Sequence, residues 1–519
     1  MSLPLALVTA QTIPQGADYV RILPELILSV FGIVVMVLDP LVDEEKSQKT
    51  LGYIAFAGTL VGLASTWYMA QSPGLAFSEM VRVDKFSVFF HVLVIATSAV
   101  VILSSFEYMA VQRIRAGEYY ALILFGTVGM ALMSSAVELV LIFIALEISS
   151  ISTYILAGFR RQDASSSESS LKYFLLGSFA TAFFLYGVAL MFGATGSTNI
   201  DLISQRLQSG PVPVLAYVAM SLMFVGLGFK VAAAPFHIWT PDVYEGAPAP
   251  IVGLMSTAPK AAAFAVLLRV VFAINAPGRF WLIWIAAALS MTLGNIGALV
   301  QTNVKRLLAY SSIAHAGYML VAYAMTTPEN SSGGISAVMF YTAAYAAMNV
   351  GAFAVVSHFA NAGERYVTLE DYEGLGRSSP FLAATLTIFL LSLIGIPMTG
   401  GFFAKFYVFS AALKANLVWL TLIGVMNSAI GAYYYLRIIV VMYMREARKE
   451  VPTSPVTFGL GSALAICLVA TLYLGILPNR TLQYTQQSAR NLLPSQPSSA
   501  PSSLADTGTI QPSADNSTH

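Results

Sequence analysis

Charged residues are scarce in this sequence. Only 10% of its 519 residues are Asp, Glu, Lys or Arg, whereas a soluble domain carries about 25%. Hydrophobic residues make up 57%, and the mean hydropathy is +0.73. This composition excludes a large soluble protein and is typical of a chain that crosses a membrane many times. The formal net charge of +1 gives no basis for a nucleic-acid-binding surface.

Cysteine is also nearly missing, because Cys467 is the single thiol and lies in an apolar run. One thiol cannot hold an iron–sulfur cluster or form an internal disulfide. The sequence has no P-loop, and no GxGxxG opens a helix after a strand, so no recognisable motif binds ATP or a dinucleotide. We therefore expect no cofactor in this chain.

Long apolar segments make up most of the chain, and short polar loops separate them. They predict an all-α polytopic membrane protein with about fourteen transmembrane helices. The first segment is followed by Asp39-Pro40 rather than by a small-residue cleavage site, so we expect it to be retained. The segments are 20–38, 51–69, 86–105, 119–134, 138–157, 171–194, 213–237, 249–274, 280–300, 305–326, 335–359, 380–412, 417–444 and 457–476.

Two segments contain helix breakers. Pro235 lies in the seventh segment, and a proline lacks the N–H that an α-helix needs and clashes with the carbonyl four residues earlier. The twelfth segment exceeds one crossing and contains Gly395, Pro397, Gly400 and Gly401. We predict that helices 7 and 12 are both broken, as are many helices that form ion sites in transporters.

Five titratable residues inside apolar segments are candidate functional residues. A charge at the centre of a bilayer costs about 2.5–3.5 kcal/mol on insertion scales, so such a residue indicates function unless a partner explains it. An acid and a lysine can form a structural ion pair, and a histidine can be a neutral packing residue. Nothing in the sequence suggests a packing role for Lys405. The five are Glu147, Lys230, Lys260, His315 and Lys405.

These groups indicate a path for protons or cations. A buried lysine beside a movable acidic partner can alternate between a proton-holding and an empty state, and broken helices supply unpaired backbone groups and room for water. We predict that Glu147 and Lys230 pair in the membrane interior. Arg269 and Arg437 lie near segment ends, and we expect their side chains to reach the interface.

The spacing of the charged residues indicates an internal repeat. Glu147 and His315 are 168 residues apart, and Lys230 and Lys405 are 175 apart, each pair on segments five helices apart. Two five-helix repeats, helices 4–8 (119–274) and 9–13 (280–444), would insert with opposite orientations because five is odd. Residues 1–118 then form helices 1–3, residues 457–476 form helix 14, and the polar segment 494–519 is expected to be disordered.

The distribution of Lys and Arg predicts the orientation. Loops after odd-numbered segments carry 14 of these residues, whereas the N-terminus, the even loops and the tail carry 8. Cytoplasmic loops are enriched in positive charge, so both termini are predicted on the non-cytoplasmic side.

Residues around the five groups carry a family resemblance that covers nearly all of 20–476. The chain resembles the antiporter-like membrane subunits of respiratory complex I and of its photosynthetic relative, and it looks most like the subunit 2 branch, also called N or B. The motifs are LIFIALEISSISTYIL around Glu147, GFKVAAAPFHIWTPDVYEGAP around Lys230, STAPKAAA around Lys260, KRLLAYSSIAHAGYM around His315 and GIPMTGGFFAKFYVF around Lys405.

The resemblance implies a role for each residue. Glu147 and Lys230 would belong to one half channel, and Lys405 would belong to the other. Lys260 would connect the two half channels. His315 would be an intermediate or water-organising residue. The implied function is proton translocation, coupled to electron transfer from NAD(P)H or ferredoxin to quinone elsewhere in the complex.

The resemblance also implies partners and a location. Iron–sulfur clusters would lie in peripheral electron-transfer subunits, and neighbouring antiporter-like and small membrane subunits and lipid would surround this chain. DVYEGAP and KYFLLGSFATAFFLYG look closest to the cyanobacterial and plastid version, which implies plastoquinone and a thylakoid membrane, with a bacterial inner membrane as the alternative. Two other functions stay open: a large subunit of a multi-subunit cation/proton antiporter, and a structural spacer that does not pump.

Overall fold

The computed structural model describes residues 14–42, 44–112, 114–273, 279–325, 328–448 and 455–492. The predicted disordered tail, 494–519, lies outside these ranges. Helices make up most of the described chain. The helices of the N-terminal part are α1 (Gly16–Arg21), α2 (Leu23–Leu38), α3 (Glu44–Met69) and α4 (Lys85–Gln112).

The middle of the chain contains two series of helices. The first series is α5 (Gly117–Ser135), α6 (Leu139–Ala157), α7 (Ala164–Thr195), α8 (Ile200–Gln208), α9 (Val214–Val231), α10 (Trp239–Gly246), α11 (Ala249–Met255) and α12 (Ala258–Ala273). The second series is α13 (Arg279–Leu299), α14 (Val304–Val321), α15 (Pro328–Ala360), α16 (Leu375–Ser378), α17 (Pro380–Ile394), α18 (Gly400–Lys414) and α19 (Val418–Met444).

The C-terminal part consists of α20 (Phe458–Ile476) and α21 (Pro478–Leu492). Short 3-10 helices cover Asp39–Leu41, Ala322–Ala324, Ala362–Glu364 and Leu369–Tyr372. One antiparallel hairpin, β1 (Gly74–Ala76) with β2 (Val81–Val83), pairs Gly74 with Val83 and Ala76 with Val81.

The helix count agrees with the predicted polytopic fold. Twelve helices in the described ranges are long and apolar enough to cross a membrane. Helix α5 and the pair α17–α18 occupy the other two predicted segments, 119–134 and 380–412. The prediction of an all-α polytopic membrane protein is confirmed.

Both predicted helix breaks are present. Helix α9 ends at Val231, where Ala232 adopts a left-handed conformation with φ of 60°, and the chain reaches α10 only at Trp239. Helix α17 ends at Ile394, where Gly395 has φ of 96°, and α18 begins at Gly400. Gly395 suits this conformation because it has no Cβ.

A third interruption lies in the eighth segment, which the sequence analysis treated as continuous. Helix α11 ends at Met255, and α12 begins at Ala258. The hydroxyls of Ser256 and Thr257 both donate to the Gly253 carbonyl, at 3.0 and 2.7 Å. Such local side-chain bonds compete with the helical ladder, and they place a turn just before Lys260.

Matched features begin the second helix of each series. Glu138 caps α6 by accepting the Leu141 N–H, and Asn303 caps α14 by accepting the Arg306 N–H. Each capping residue also forms an isolated antiparallel bridge, Glu138 with Asn199 and Asn303 with Thr368.

The most enclosed part of the fold lies in the central helices. Every residue in the apolar window within 249–270 is buried, and α14 and α15 are nearly as enclosed. By contrast, less than a third of the window within 23–41 is buried. Lys260 and His315 therefore lie in the protein interior rather than on a lipid-facing surface.

Candidate functional site

Lys230 occupies the last turn of α9, just before the break. Its side chain is buried, and its ammonium donates to Ser150 Oγ of α6 at 2.9 Å. Ser150 lies one helical turn after Glu147 on the same helix. Within the described ranges Lys230 and Glu147 do not form an ion pair, so the predicted direct pairing is absent from this conformation, although the Lys230–Ser150 hydrogen bond joins the two helices.

Glu147 is half-buried on α6. Its Oε1 atom is buried and has no hydrogen-bond partner among the described residues. Buried carboxylate oxygens are normally paired, so this oxygen can accept a proton or a bond from a group that moves toward it.

Lys260 follows the turn between α11 and α12. Its ammonium donates to Ser312 Oγ at 2.6 Å and lies 5.9 Å from the centroid of the Tyr244 ring. The aromatic face attracts a cation, and Lys260 has no acidic partner among the described ion pairs. The interior therefore holds this group with neutral partners only.

His315 lies on α14 between two tyrosine hydroxyls. Its Nδ1 is 2.8 Å from the Tyr341 hydroxyl, and its Nε2 is 3.3 Å from the Tyr435 hydroxyl. Tyr435 also shares a hydrogen bond with Ser311. Because a hydroxyl can donate or accept, this arrangement suits either ring tautomer and can pass a proton in either direction.

Lys405 lies on α18, opposite the end of the broken partner helix. Its ammonium donates to the Leu393 and Ile394 carbonyls at 3.0 and 2.8 Å and to Ser428 Oγ at 2.8 Å. The first two are carbonyls of the last turn of α17, where the helix dipole favours a cation. The expectation that packing gives no reason for a cation here is therefore wrong.

Close packing fixes this position of Lys405. A Cβ at Gly401 would collide with the Ser392 carbonyl oxygen, and the Gly401 N–H donates to Ser392 Oγ at 3.1 Å. The two half-helices can approach this closely because residue 401 has no side chain.

Helix α14 connects Lys260 to Lys405. Ser312, His315 and Tyr318 follow one another at intervals of three residues and so lie on one face of the helix. Ser312 binds Lys260, and the Tyr318 ring lies 5.0 Å from the Lys405 ammonium. The structure brings Lys260, His315 and Lys405 into one polar strip. Lys230 and Glu147 lie beside it on α9 and α6, without a hydrogen bond to Lys260 in the described ranges.

Hydroxyl groups are the part of the site that the sequence analysis missed. Ser and Tyr are common in apolar segments and mostly bond to their own helix, so their spacing gave no signal by itself. Hydroxyl-bearing residues that contact the predicted groups, through the hydroxyl or the ring, include Ser150, Tyr244, Ser312, Tyr318, Tyr341, Tyr345, Tyr435 and Ser428.

A buried ionic cluster near the start of α14 was also missed. Glu364 accepts from Lys305 at 2.5 Å, from Tyr108 at 2.9 Å and from the Ala249 N–H at 2.8 Å, and Arg160 lies 3.8 Å away. It joins α4, α11, α14 and the loop after α6. Burial by itself would raise the pKa of Glu364, but the charges of Lys305 and Arg160 outweigh this effect and lower that pKa.

Replacing Glu364 by glutamine is expected to destabilise the chain by roughly 3–5 kcal/mol, because Lys305 and Arg160 stay buried without a counter-charge. The lowered pKa gives the sign of the pH dependence. The stabilisation is complete above the unfolded pKa near 4.5 and is lost as the pH falls through the lower folded value. Heating membranes and immunoblotting the remaining folded chain measures the change. The exposed Glu370 of the next 3-10 helix provides the control Glu370→Gln, and equal losses in both variants would contradict the prediction.

Arg269, near the end of its segment, has protein partners that the sequence did not predict. It is 3% exposed, its guanidinium binds Asp84 at 3.2 Å, and it lies 4.7 Å from the centroid of the Phe86 ring. Arg437 is half-buried and donates to the Leu299 and Gln301 carbonyls. Both cations therefore bind protein groups.

The side chains of the site are of types that can exchange protons. Lysine, glutamate, histidine and hydroxyl groups can all gain or lose a proton. In the described ranges no three or more His, Cys, Asp or Glu side chains cluster in a way that could hold a metal ion. The arrangement can pass protons between neighbouring groups.

Comparisons with known proteins agree with this chemistry. The family described as NADH:quinone oxidoreductase/Mrp antiporter, TM, matches residues 136–431. The chain is 68% identical to NADH-quinone oxidoreductase subunit N 2 of Koribacter versatilis, over 92% of this chain and 98% of that protein. It is 49% identical to NADH-quinone oxidoreductase subunit N 1 of Solibacter usitatus, over 92% and 98%.

Solved structures show the same fold. A chain in respiratory complex I from Thermus thermophilus with bound Aureothin is 36% identical, with a TM-score of 0.76 over 89% of this chain and 98% of that one. A chain of the Mrp complex from Dietzia sp. has a TM-score of 0.78 over 91% and 97%. Its identity is 19%, so that likeness concerns the fold alone.

Proposed function

We propose that this chain, which belongs to the subunit N family of NADH-quinone oxidoreductase, moves protons through its buried groups. Membership makes it an antiporter-like, proton-pumping membrane subunit of complex I. The residues that carry the protons are Glu147, Lys230, Lys260, His315 and Lys405.

The polar strip along α14 is the observation that carries this proposal. Ser312 accepts from Lys260, His315 lies between two tyrosine hydroxyls, and Tyr318 faces Lys405. A purely structural spacer would gain nothing from Lys260, whose described partners are neutral, because burying its charge costs desolvation energy. We therefore assign the strip to the connection between two half channels.

Lys230 and Glu147 would form the other half of the path. In this proposal the Lys230 ammonium moves from Ser150 toward the unpaired Oε1 of Glu147 when the path changes state. The break after Val231 supports such a movement, because the last turn of α9 is bounded by a non-helical residue.

Two inverted repeats would explain why the two half channels lie in different parts of the chain. The Glu138–Asn199 and Asn303–Thr368 bridges begin equivalent helices, α6 and α14, in the two proposed repeats, 119–274 and 280–444. Five crossings separate these helices, so their first residues would lie on opposite sides of the membrane. Residues 1–118 and 457–476 would flank the repeats, and both termini would face the non-cytoplasmic side.

Other subunits of the complex are proposed as partners. The α6 helix exposes Ile144, Ile151 and Ile155, at 47, 52 and 45%, beside the half-buried Glu147. An apolar stripe on a membrane helix meets lipid or a neighbouring membrane subunit. A neighbour here would reach the end of the proton path.

The names of the bacterial relatives favour NADH and quinone as substrates of the complex. We further propose that iron–sulfur clusters lie in its peripheral subunits and that its location is a bacterial inner membrane. The thylakoid complex that takes electrons from NADPH or ferredoxin to plastoquinone is the alternative. Membranes that contain the chain distinguish them: NADH-driven quinone reduction supports the first, and exclusive use of reduced ferredoxin supports the second.

Inverted membrane vesicles test the function. We expect NADH to drive a pH gradient, detected by acridine quenching, in vesicles with the chain and not in vesicles that lack it. A multi-subunit cation/proton antiporter, whose fold this chain shares, would instead exchange protons for sodium without any electron donor. Donor-independent exchange and no co-purification with electron-transfer subunits would contradict the proposal.

A further inference from the structure

Glu25 and His91 form a buried titratable pair at a distance from the proposed path. Glu25 lies in the first turn of α2, and His91 lies in the second turn of α4. The exposures are 4% and 0%, and Glu25 Oε1 is 2.7 Å from His91 Nε2. In the described ranges neither residue has a hydrogen bond or ion pair with the five groups of the proposed path.

The partners of His91 fix its tautomer. Nδ1 is 2.8 Å from the Ser87 carbonyl oxygen, which can only accept. Nδ1 is also 3.0 Å from Ser134 Oγ, whose own hydrogen goes to the Ala131 carbonyl at 2.8 Å. Both partners are therefore acceptors, and Nδ1 must carry a hydrogen.

The short contact on the other side of the ring then requires a second proton. A neutral ring with hydrogen on Nδ1 presents a lone pair at Nε2, and this would face a carboxylate oxygen at 2.7 Å. Two acceptors at that distance repel each other. A proton between them removes the repulsion, either as imidazolium with carboxylate or as imidazole with carboxylic acid.

We propose that the Glu25–His91 pair is a further proton-binding site, which exchanges one proton with the aqueous phase at the end of the bundle where α2 and α4 begin. A hydronium ion transfers its proton to the pair and leaves as water, and the net charge of the pair changes from −1 to 0. No other atoms or electrons move.

The location suits exchange with water. At 1.5 Å per residue, His91 lies about 9 Å along α4 from its first residue. Glu25 Oε2 is buried and has no partner among the described residues, so a water molecule that reaches it can deliver or remove the proton.

The charged residues near the pair bind partners of their own. On the elements packed around it, Asp84 binds Arg269 through both carboxylate oxygens at 3.2 Å. Arg269 also donates to the Ser134 carbonyl at 3.1 Å. Farther out, Arg82 pairs with Asp201 and Arg21 with Asp18, and the Tyr484 hydroxyl donates to the Lys85 carbonyl.

Infrared difference spectra of the purified complex between acidic and alkaline pH test the site. Glu25→Gln and His91→Gln are each expected to remove the same set of bands, and the double variant is expected to match either single variant, because one proton is shared. Glu118→Gln, at an exposed carboxylate with a 58% exposed side chain, is the control and should remove an unrelated carboxylate signal. The proposal would be overturned if the two single variants removed different bands and the double variant removed both sets, or if neither single variant changed the spectrum.

Ser134→Ala keeps both members of the pair, so it tests the assignment even if the other variants misfold. It removes one of the two acceptors of Nδ1, so we expect the shared bands to persist with a shifted midpoint. Loss of the bands in this variant, at normal abundance of the complex, would contradict the assignment.

A second readout rests on the proposed function. The pH profile of NADH-driven proton translocation is expected to lose one inflection in Glu25→Gln. An unchanged profile with the expected infrared result would show that the site binds a proton but does not limit pumping. That outcome would overturn a role for the pair in translocation and leave the path through Lys405 untouched.

Discussion

Replacing Lys405 by alanine is expected to stop most proton translocation while the complex still assembles and reduces quinone. Lys405 is the titratable end of the polar strip, and a positioned proton-transfer group contributes on the order of 100-fold or more to the rate of its step. Its loss also leaves the Leu393 and Ile394 carbonyls without a side-chain donor, which costs about 1–3 kcal/mol. The measurement is acridine quenching beside NADH oxidation in the same vesicles, with immunoblots of the complex.

Two further substitutions separate the proton-carrying role of Lys405 from its contact with α17. Lys405→Gln keeps an N–H donor for the carbonyls but cannot titrate, so the stability lost in the alanine variant should be largely recovered while pumping stays low. Lys405→Arg keeps the charge but cannot release its proton, so it should also fail to pump. Normal pumping by either variant at normal abundance would show that Lys405 has a structural role only.

Replacing Lys230 by methionine is expected to reduce translocation by a comparable factor, on the order of 100-fold. Methionine matches the length of the lysine stem and suits an apolar interior, so the variant should fold without a buried charge. Ser150→Ala should have a much smaller effect, because it removes one neutral hydrogen-bond partner worth about 1 kcal/mol. The comparison uses the same vesicle assay.

Glu147 makes the Lys230 prediction more specific. If the ammonium moves between Ser150 and Glu147, then Glu147→Gln should stop pumping and add little to Lys230→Met in the double variant. If Lys230 serves only as a donor to Ser150, then Ser150→Ala and Lys230→Met should have equal effects. Normal pumping by Lys230→Met would contradict its place in the path.

The chain of contacts was decided by the tertiary structure. Sequence spacing placed Lys260 and His315 in different segments of one expected path and did not show which side chains link them. In the fold, Ser312 binds Lys260 and the Tyr318 ring lies beside Lys405, and both lie with His315 on one face of α14. A hydroxyl within an apolar segment has the same appearance in sequence whether it bonds to its own helix or to a lysine on another, so this link could not be predicted.

The ionic residues near helix ends show the same limit. Arg269 was expected to extend to the interface, because its position near a segment end permits it. Its partner Asp84 lies in a loop 185 residues earlier, and only the packing of α12 against α4 brings them together. Likewise Glu364 and Arg160 are charged loop residues in sequence, and the fold buries them together.

The sequence by itself determined that this is a membrane protein, that the seventh and twelfth predicted segments are broken, and which five titratable residues are candidates. These follow from local properties: hydropathy, the missing N–H of proline, the conformational freedom of glycine, and the cost of a charge in hydrocarbon. Only the tertiary structure decided the partners. In the fold, the Lys230 ammonium donates to Ser150 rather than to Glu147, and the Lys405 ammonium donates to a carbonyl of the last turn of α17. A buried ammonium binds whichever acceptors the packed helices bring within reach, and that depends on contacts between residues far apart in sequence.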